Sequence, residues 1–240
     1  METLWNGLTF RSPASCQSIT TDSVLLAAFA AETLDEKRIR ACDLCCGSGL
    51  ITLLMAARCP RVSFCGLDVD SQACKGYRQN AADNGLTHRM GAICTDLADV
   101  RNRLQPGSFQ AVVTNPPYFE PTRGAASPNP ARQLARQGCS LKTVLAASAY
   151  LLNGRGTLFL SFPTSRLAEL FCAMSAAGIE PKRLRLVAHT AEAAPSVALV
   201  SGTPGAAAGL HCEPTLILYD RNGQMTPACA AAYGQTGHET

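Results

Sequence analysis

Short apolar runs alternate along this chain with longer segments whose apolar residues return every three or four positions. The first pattern marks buried strands, the second helices that bury one stripe. Residues 39–44, 62–67, 89–94, 109–114 and 157–162 are the strand candidates, and residues 22–34, 50–57, 71–84, 97–104, 140–152 and 165–177 the helix candidates. Punctuation agrees: Thr21 or Asp22 is placed to cap the first helix, Gly85 to stop the third and Gly178 the last, with residues 154–156 as a turn. Strands and helices in alternation build an α/β fold around a mostly parallel sheet. The late runs 183–189, 197–200 and 215–219 add further strand candidates. Residues 119–138, with Pro121, Pro128 and Pro130, read as a long irregular loop of the kind that is functional or disordered.

With 240 residues, 47% of them hydrophobic, the chain can bury one full core. We expect residues 36–220 to form that domain, residues 1–35 an N-terminal extension and helix packing on its cofactor site, and residues 221–240 a small polar C-terminal tail. No apolar run reaches the ~18 residues of a membrane helix. Residues 1–11 lack a charged segment followed by an apolar one, so a cytoplasmic location is expected. The 12 cysteines include a Cys42-x-x-Cys45 pair, but no second such pair or histidine pair accompanies it and Cys42 falls in a buried strand. Reduced thiols and no metal are expected. His88, His189, His211 and His238 are scattered, without metal or triad spacing. A net charge of +3 and a pI of about 8.3 are modest for a nucleic-acid binder, so the placement of basic residues matters more than their total.

Candidate chemistry sits where strands end. Residues 39–44 run into Cys45-Cys46-Gly47-Ser48-Gly49 and then into a helix. Glycine in such a turn tolerates positive φ and lets a ligand approach the backbone. The next strand ends at Asp68, about 20 residues past the glycines, where a carboxylate accepts from ribose hydroxyls. The third glycine of the dinucleotide fingerprint is missing, Thr52 standing in its place, and no Walker lysine follows. Both absences argue against bound phosphates. S-adenosylmethionine fits instead, a nucleoside without phosphate whose positive sulfonium suits the nearby Asp43. Asp96, after the strand at 89–94, is placed to accept from an adenine amino group or to cap the helix at 97–104.

Asn115-Pro116-Pro117-Tyr118 follows the strand at 109–114. Its prolines stiffen the loop and remove N–H groups. The Asn115 side-chain oxygen and the Pro116 carbonyl remain as acceptors for the two hydrogens of an NH2 group, and Tyr118 offers a flat face to a planar substrate. The same four residues also fit a rigid turn closing a strand, with Tyr118 half-buried.

Taken in order, Asp43-x-x-x-Gly47-x-Gly49, Asp68, Asp96 and Asn115-Pro-Pro-Tyr118 resemble the successive motifs of the class I S-adenosylmethionine-dependent methyltransferases that carry an Asn-Pro-Pro-Tyr loop. Residues 21–27, 134–136, 140–141, 166–170 and 178–185 are similar to the bacterial tRNA(Val) adenine-37 N6-methyltransferase group, and that resemblance runs to about Tyr219. It implies a Rossmann-like class I methyltransferase sheet, mostly parallel, to which the late strands add an antiparallel edge. It also implies S-adenosylmethionine held by Asp22, Asp43, Gly47, Gly49, Asp68, Asp96 and Asn115, and catalysis by Asn115, Pro116, Pro117 and Tyr118. The implied partner is tRNA. Arg123, Arg132 and Arg136 in the long loop and Lys182, Arg183 and Arg185 on a strand are its candidate phosphate contacts; they equally fit a solvated loop and a charge-protected edge strand. Two departures stand out: Cys45 occupies a glycine position of the motif, and Gln137-Gly138 replaces a common His-Glu pair.

Three other readings share features with this chain. Protein glutamine methyltransferases have a similar loop, but their helical domain is larger than the about 40 residues ahead of the first motif strand here. Guanine N2-methylating rRNA enzymes usually end the loop in phenylalanine rather than tyrosine. A non-catalytic RNA-binding module retaining the fold is the reading from a different class.

Overall fold

The computed structural model describes residues 2–4, 7–13, 19–34, 38–116 and 140–235. Strands β1 (Glu2–Thr3) and β2 (Thr9–Phe10) pair antiparallel near the start. There follow α1 (Thr21–Leu34), β3 (Arg40–Leu44), α2 (Leu50–Arg58), β4 (Ser63–Asp68), α3 (Ser71–Asp83), β5 (Met90–Cys94), a 3-10 turn at Leu97–Asn102, and β6 (Phe109–Thr114). The second half contributes α4 (Leu141–Leu151), β7 (Leu152–Pro163), α5 (Leu167–Ala176), β8 (Ile179–Ala188), β9 (Val197–Pro204), β10 (His211–Cys212), β11 (Leu216–Ile217) and α6 (Pro227–Ala232). Among the described residues no helix is long and apolar enough to cross a membrane.

The main sheet runs β5-β4-β3-β6-β7-β9-β8, with β10 and β11 both on the outer side of β8. Neighbours from β5 to β7 are parallel, and β9 is antiparallel to both β7 and β8. The expected antiparallel edge is therefore carried by β9, while β10 and β11 run parallel to β8. The cause lies in where β9 ends: Pro204 pairs with Ile179, at the end of the sheet where β8 begins, so a strand laid on β8 next starts from that end.

Register sorts the side chains into two cores, as strands buried on both faces require. Ala41, Ala111, Val113 and Phe159 join the core of α1, α2 and α3, whereas Cys42, Leu44, Val112, Leu158 and Leu160 join that of α4 and α5. Helix α1 is apolar almost all round, with Val24, Leu25, Leu26, Ala27, Phe29 and Ala30 buried, because the sheet, α2 and α6 all pack on it. Its cap is Thr20, one residue before the expected positions; the Thr20 Oγ1 accepts from the Ser23 N–H at 3.3 Å. The expected helix at 97–104 is the 3-10 turn, capped by Asp96.

Chain order places a crevice. From β3 the chain moves outward to β4 and β5, and from β6 it moves the other way to β7. The direction reverses between β3 and β6, and open α/β sheets take ligands outside the carboxyl ends of the strands at such a point.

Candidate functional site

Asp43 lies near the end of β3, Asp68 ends β4, Asp96 follows β5 and Asn115 follows β6, so parallel register brings all four to one rim of the sheet. The turn after β3 has left-handed backbone at Cys45 (φ 56°), Gly47 (φ 53°) and Gly49 (φ 85°). The two glycines serve different ends. A Cβ on Gly47 would meet nothing within 4 Å, so this residue leaves open space at the rim, whereas a Cβ on Gly49 would lie 2.6 Å from the ring of Tyr77. Gly66 of β4 makes room for the same buried ring, also at 2.6 Å. Cys45 takes the left-handed conformation with a Cβ in place, which costs about 1–2 kcal/mol.

Asp43 is buried, and the Thr52 hydroxyl donates to its Oδ2 at 2.8 Å. Its Oδ1 has no hydrogen-bond partner among the described residues. Burial pushes its pKa up to about 7; the Thr52 hydrogen bond acts the other way and the nearby Asp68 charge adds to the rise. Thr52, noted in the sequence only as a missing glycine, is thus the anchor of this carboxylate, and the buried Tyr77 hydroxyl lies beside it. Asp68 is held by backbone: Oδ2 accepts from the Gly47 N–H at 2.8 Å and Oδ1 from the Asp70 N–H at 2.9 Å. Burial raises its pKa while these N–H groups oppose the rise. A carboxylate has about four acceptor sites, so Asp68 keeps capacity for ribose hydroxyls. Asp96 fulfils the capping reading, its Oδ1 accepting from the Ala98 N–H at 2.8 Å, with its second oxygen left for a ligand. Open space over Gly47, an unpaired buried oxygen on Asp43 and the acceptors of Asp68 and Asp96 fit a nucleoside that carries a positive charge and no phosphate.

The acceptor side is built by long-range contacts. Thr114 donates from Oγ1 to the Leu44 carbonyl at 2.9 Å, which ties the end of β6 to β3 just before Asn115. The Asn115 amide then bridges two elements: Ser161 of β7 donates to its Oδ1 at 2.7 Å, and its Nδ2 donates to Ser23 of α1 at 3.2 Å. Asp22 neighbours Ser23 in the first turn of α1, which brings that turn to the same rim. Pro116 is buried beside Asn115; Pro117 and Tyr118 lie outside the described residues. On the other flank, Asn80 of α3 accepts from the Arg11 N–H and donates to the Arg11 and Ser48 carbonyls, all at 2.9 Å, fastening the N-terminal segment against the glycine turn.

Arg123, Arg132 and Arg136 lie outside the described residues, as do Gln137 and Gly138. Lys182 donates to the Ala207 carbonyl at 3.0 Å. Arg183 and Arg185 face α1 and direct their donors into the protein: Arg183 pairs with Glu32 at 2.9 Å and with Glu213 at 2.6 Å, and Arg185 pairs with Glu32 at 2.7 Å and with Glu213. Arg183 also donates to Thr33 at 2.7 Å and stacks over Phe29 at 4.4 Å. These arginines tie the last turn of α1 to β8, which is where their donors go instead of pointing outward to phosphates. The tail adds a second tie, since Arg58 of α2 donates to the Ala232 carbonyl of α6 at 2.5 Å. Among the described residues no cluster capable of holding a metal is present, and burial pushes the Cys42 and Cys46 thiols up, which keeps them protonated and unreactive.

Residues 20–151 match the methyltransferase small domain family. A tRNA1(Val) (adenine(37)-N6)-methyltransferase of Bacteroides fragilis (strain YCH46) is 29% identical over 187 residues, covering 77% of this chain and 76% of that protein. The protein of that name from Cronobacter sakazakii (strain ATCC BAA-894) is 31% identical over 195 residues, covering 78% and 76%. Among solved structures, a predicted O-methyltransferase from Agrobacterium tumefaciens superposes with a TM-score of 0.74 at 19% identity, over 90% of this chain and 97% of that one, a likeness of fold.

Proposed function

The chain belongs to the methyltransferase small domain family, and on that premise we propose that it transfers a methyl group from S-adenosylmethionine to N6 of an adenine in tRNA, with position 37 of a valine tRNA as the target. The observation that carries the reading is the Asn115 amide, fixed at the rim that also holds Gly47, Asp43 and Asp68. Asp68 receives the ribose hydroxyls, Asp96 the adenine amino group of the cofactor, and Asp43 faces its positive end, with Asp22 and Gly49 completing the surround. S-adenosylmethionine, when bound, supplies an electrophilic methyl group.

Asn115 and the Pro116 carbonyl accept the two N–H hydrogens of the substrate amine. That turns the nitrogen lone pair out of conjugation with the ring and aims it at the methyl carbon, an effect of orientation. Pro117 stiffens the loop, and Tyr118 stacks on a base swung out of its RNA loop. No covalent enzyme intermediate is required. With Arg183 and Arg185 occupied in holding α1, RNA phosphates fall to Arg123, Arg132, Arg136 and Lys182. A tRNA substrate puts the protein in the cytoplasm.

The test is to incubate the protein with labelled S-adenosylmethionine and bulk unmodified tRNA, digest the RNA and identify the labelled nucleoside by mass spectrometry. Label in N6-methyladenosine is expected. Label in N2-methylguanosine, or in a protein glutamine and not in RNA, overturns the reading.

A further inference from the structure

Two buried serines meet at Asn115 from distant parts of the chain. Ser161 sits 46 residues away on β7 with no solvent exposure, and Ser23 sits 92 residues away on α1 at 8% exposure. Ser161 lies on β7 between the buried Leu160 and Phe162, and Ser23 lies in the first turn of α1 between Asp22 and the buried Val24. A hydroxyl buried in such a place is costly unless it is hydrogen-bonded, and both are bonded to the same amide. Ser23 is in turn oriented by Thr20, whose Oγ1 lies 2.9 Å from the Ser23 Oγ.

An asparagine amide presents an acceptor on one side and a donor on the other, and rotating it by half a turn exchanges them. For an amino-group substrate the exchange is decisive, since an NH2 of Asn115 would set donor against donor. We propose that Ser161 and Ser23 are positioning residues that hold the Asn115 side chain at the rim, Ser161 donating to Oδ1 and Ser23 accepting from Nδ2, with Oδ1 available to the substrate amine. Ser161 occupies one of the two lone pairs of Oδ1 and leaves the other for an N–H; Ser23 holds Nδ2 away on the α1 side. The inference rests on the amine-methylating reading of the site and adds to it the residues that set which face of the amide the amine meets.

The experiment measures kcat and KM for tRNA, cofactor Kd and Tm for the wild type and for Ser161→Ala, Ser161→Thr and Ser23→Ala. Ser161→Ala is expected to lower kcat about 10- to 100-fold, the scale at which a small misplacement acts on a reacting group, with cofactor Kd and Tm close to wild type. Ser161→Thr, which keeps the hydroxyl, recovers most of that loss, and Ser23→Ala shows a smaller loss of the same kind. Wild-type kcat in Ser161→Ala overturns the inference alone. A kcat loss matched by an equal loss of cofactor affinity or by a fall in Tm also overturns it, because the serine would then support the fold only. A wild-type protein that methylates no amine nitrogen overturns the inference together with the functional reading beneath it.

Discussion

Between Asp43 and Asp96 the site residues are held by neighbours close in the chain, whereas Asn115 is held from far away. Thr52 reaches Asp43 across 9 residues, Gly47 reaches Asp68 across 21, and Ala98 reaches Asp96 across 2. The amide of Asn115 depends on Ser23 and Ser161, and the helix carrying Ser23 depends on Glu32 and the arginines of β8 at its other end. The carboxylates of one half of the rim are thus anchored mainly from their own turns, with Asn80 of α3 bracing the glycine turn from 32 residues away. The other half is shaped by how α1 and β7 pack, so distant changes that move α1 act on the acceptor side first.

The sharpest break between the halves is Asn115→Ala. It is expected to lower kcat by about 10²–10³-fold, as removal of one preorganised polar group does, with a much smaller change in cofactor Kd by calorimetry; equal losses in both would merge the two halves. Next comes Gly66→Ala, whose Cβ would lie 2.6 Å from Tyr77 and 2.7 Å from the Cys46 Sγ. Overpacking of this kind costs about 1–3 kcal/mol. Denaturant titration should show it, and combining it with Tyr77→Leu should give less than the sum of the two single effects, since both act on one space.

A third test uses pH. Burial holds Asp43 at about 7, above its ordinary 3.8, so the folded protein binds more protons than the unfolded chain between those values. The contribution of Asp43 to stability is fully present below the ordinary value and is lost as pH rises through about 7. The Asp43→Asn variant should therefore lose less stability than the wild type between pH 5.5 and pH 8.5, settings of about 1.5 units either side of the folded pKa. Cofactor affinity should move the opposite way in the wild type, tightening as Asp43 ionises, and stay flat in the variant. The smallest effect is Cys45→Gly. Relief of the left-handed strain, offset by the greater freedom of glycine in the unfolded chain, should raise stability by up to about 1 kcal/mol; a fall in Tm would mean that Cys45 side-chain contacts outweigh the strain.

The locally built half was the legible one. A strand, a glycine turn and a carboxylate at the end of each successive strand leave marks in consecutive residues, and Asp43, Gly47, Asp68 and Asp96 all stand at the rim those marks imply. Ser23, Ser161, Tyr77 and Asn80 left no such mark, because their roles depend on which distant residue the register sets opposite them. Arg183 and Arg185 stand two apart in a strand candidate, yet only the packing of α1 reveals that Glu32 and Phe29 meet them. The direction of β10 and β11 was hidden for another reason: two residues carry no periodicity.

Those two short strands also cover part of the outer edge of β8. A long outermost strand offers a row of unpaired backbone groups on which another chain can extend the sheet. β8, 10 residues long, would be such a template, but β10 takes its outer ladder at Arg183 and Leu184 and β11 takes it at Val187 and Ala188. What remains outermost on that side is a pair of two-residue segments, too brief to nucleate edge-to-edge association. Deleting them would expose the outer ladder of β8 as an edge on which another strand can pair.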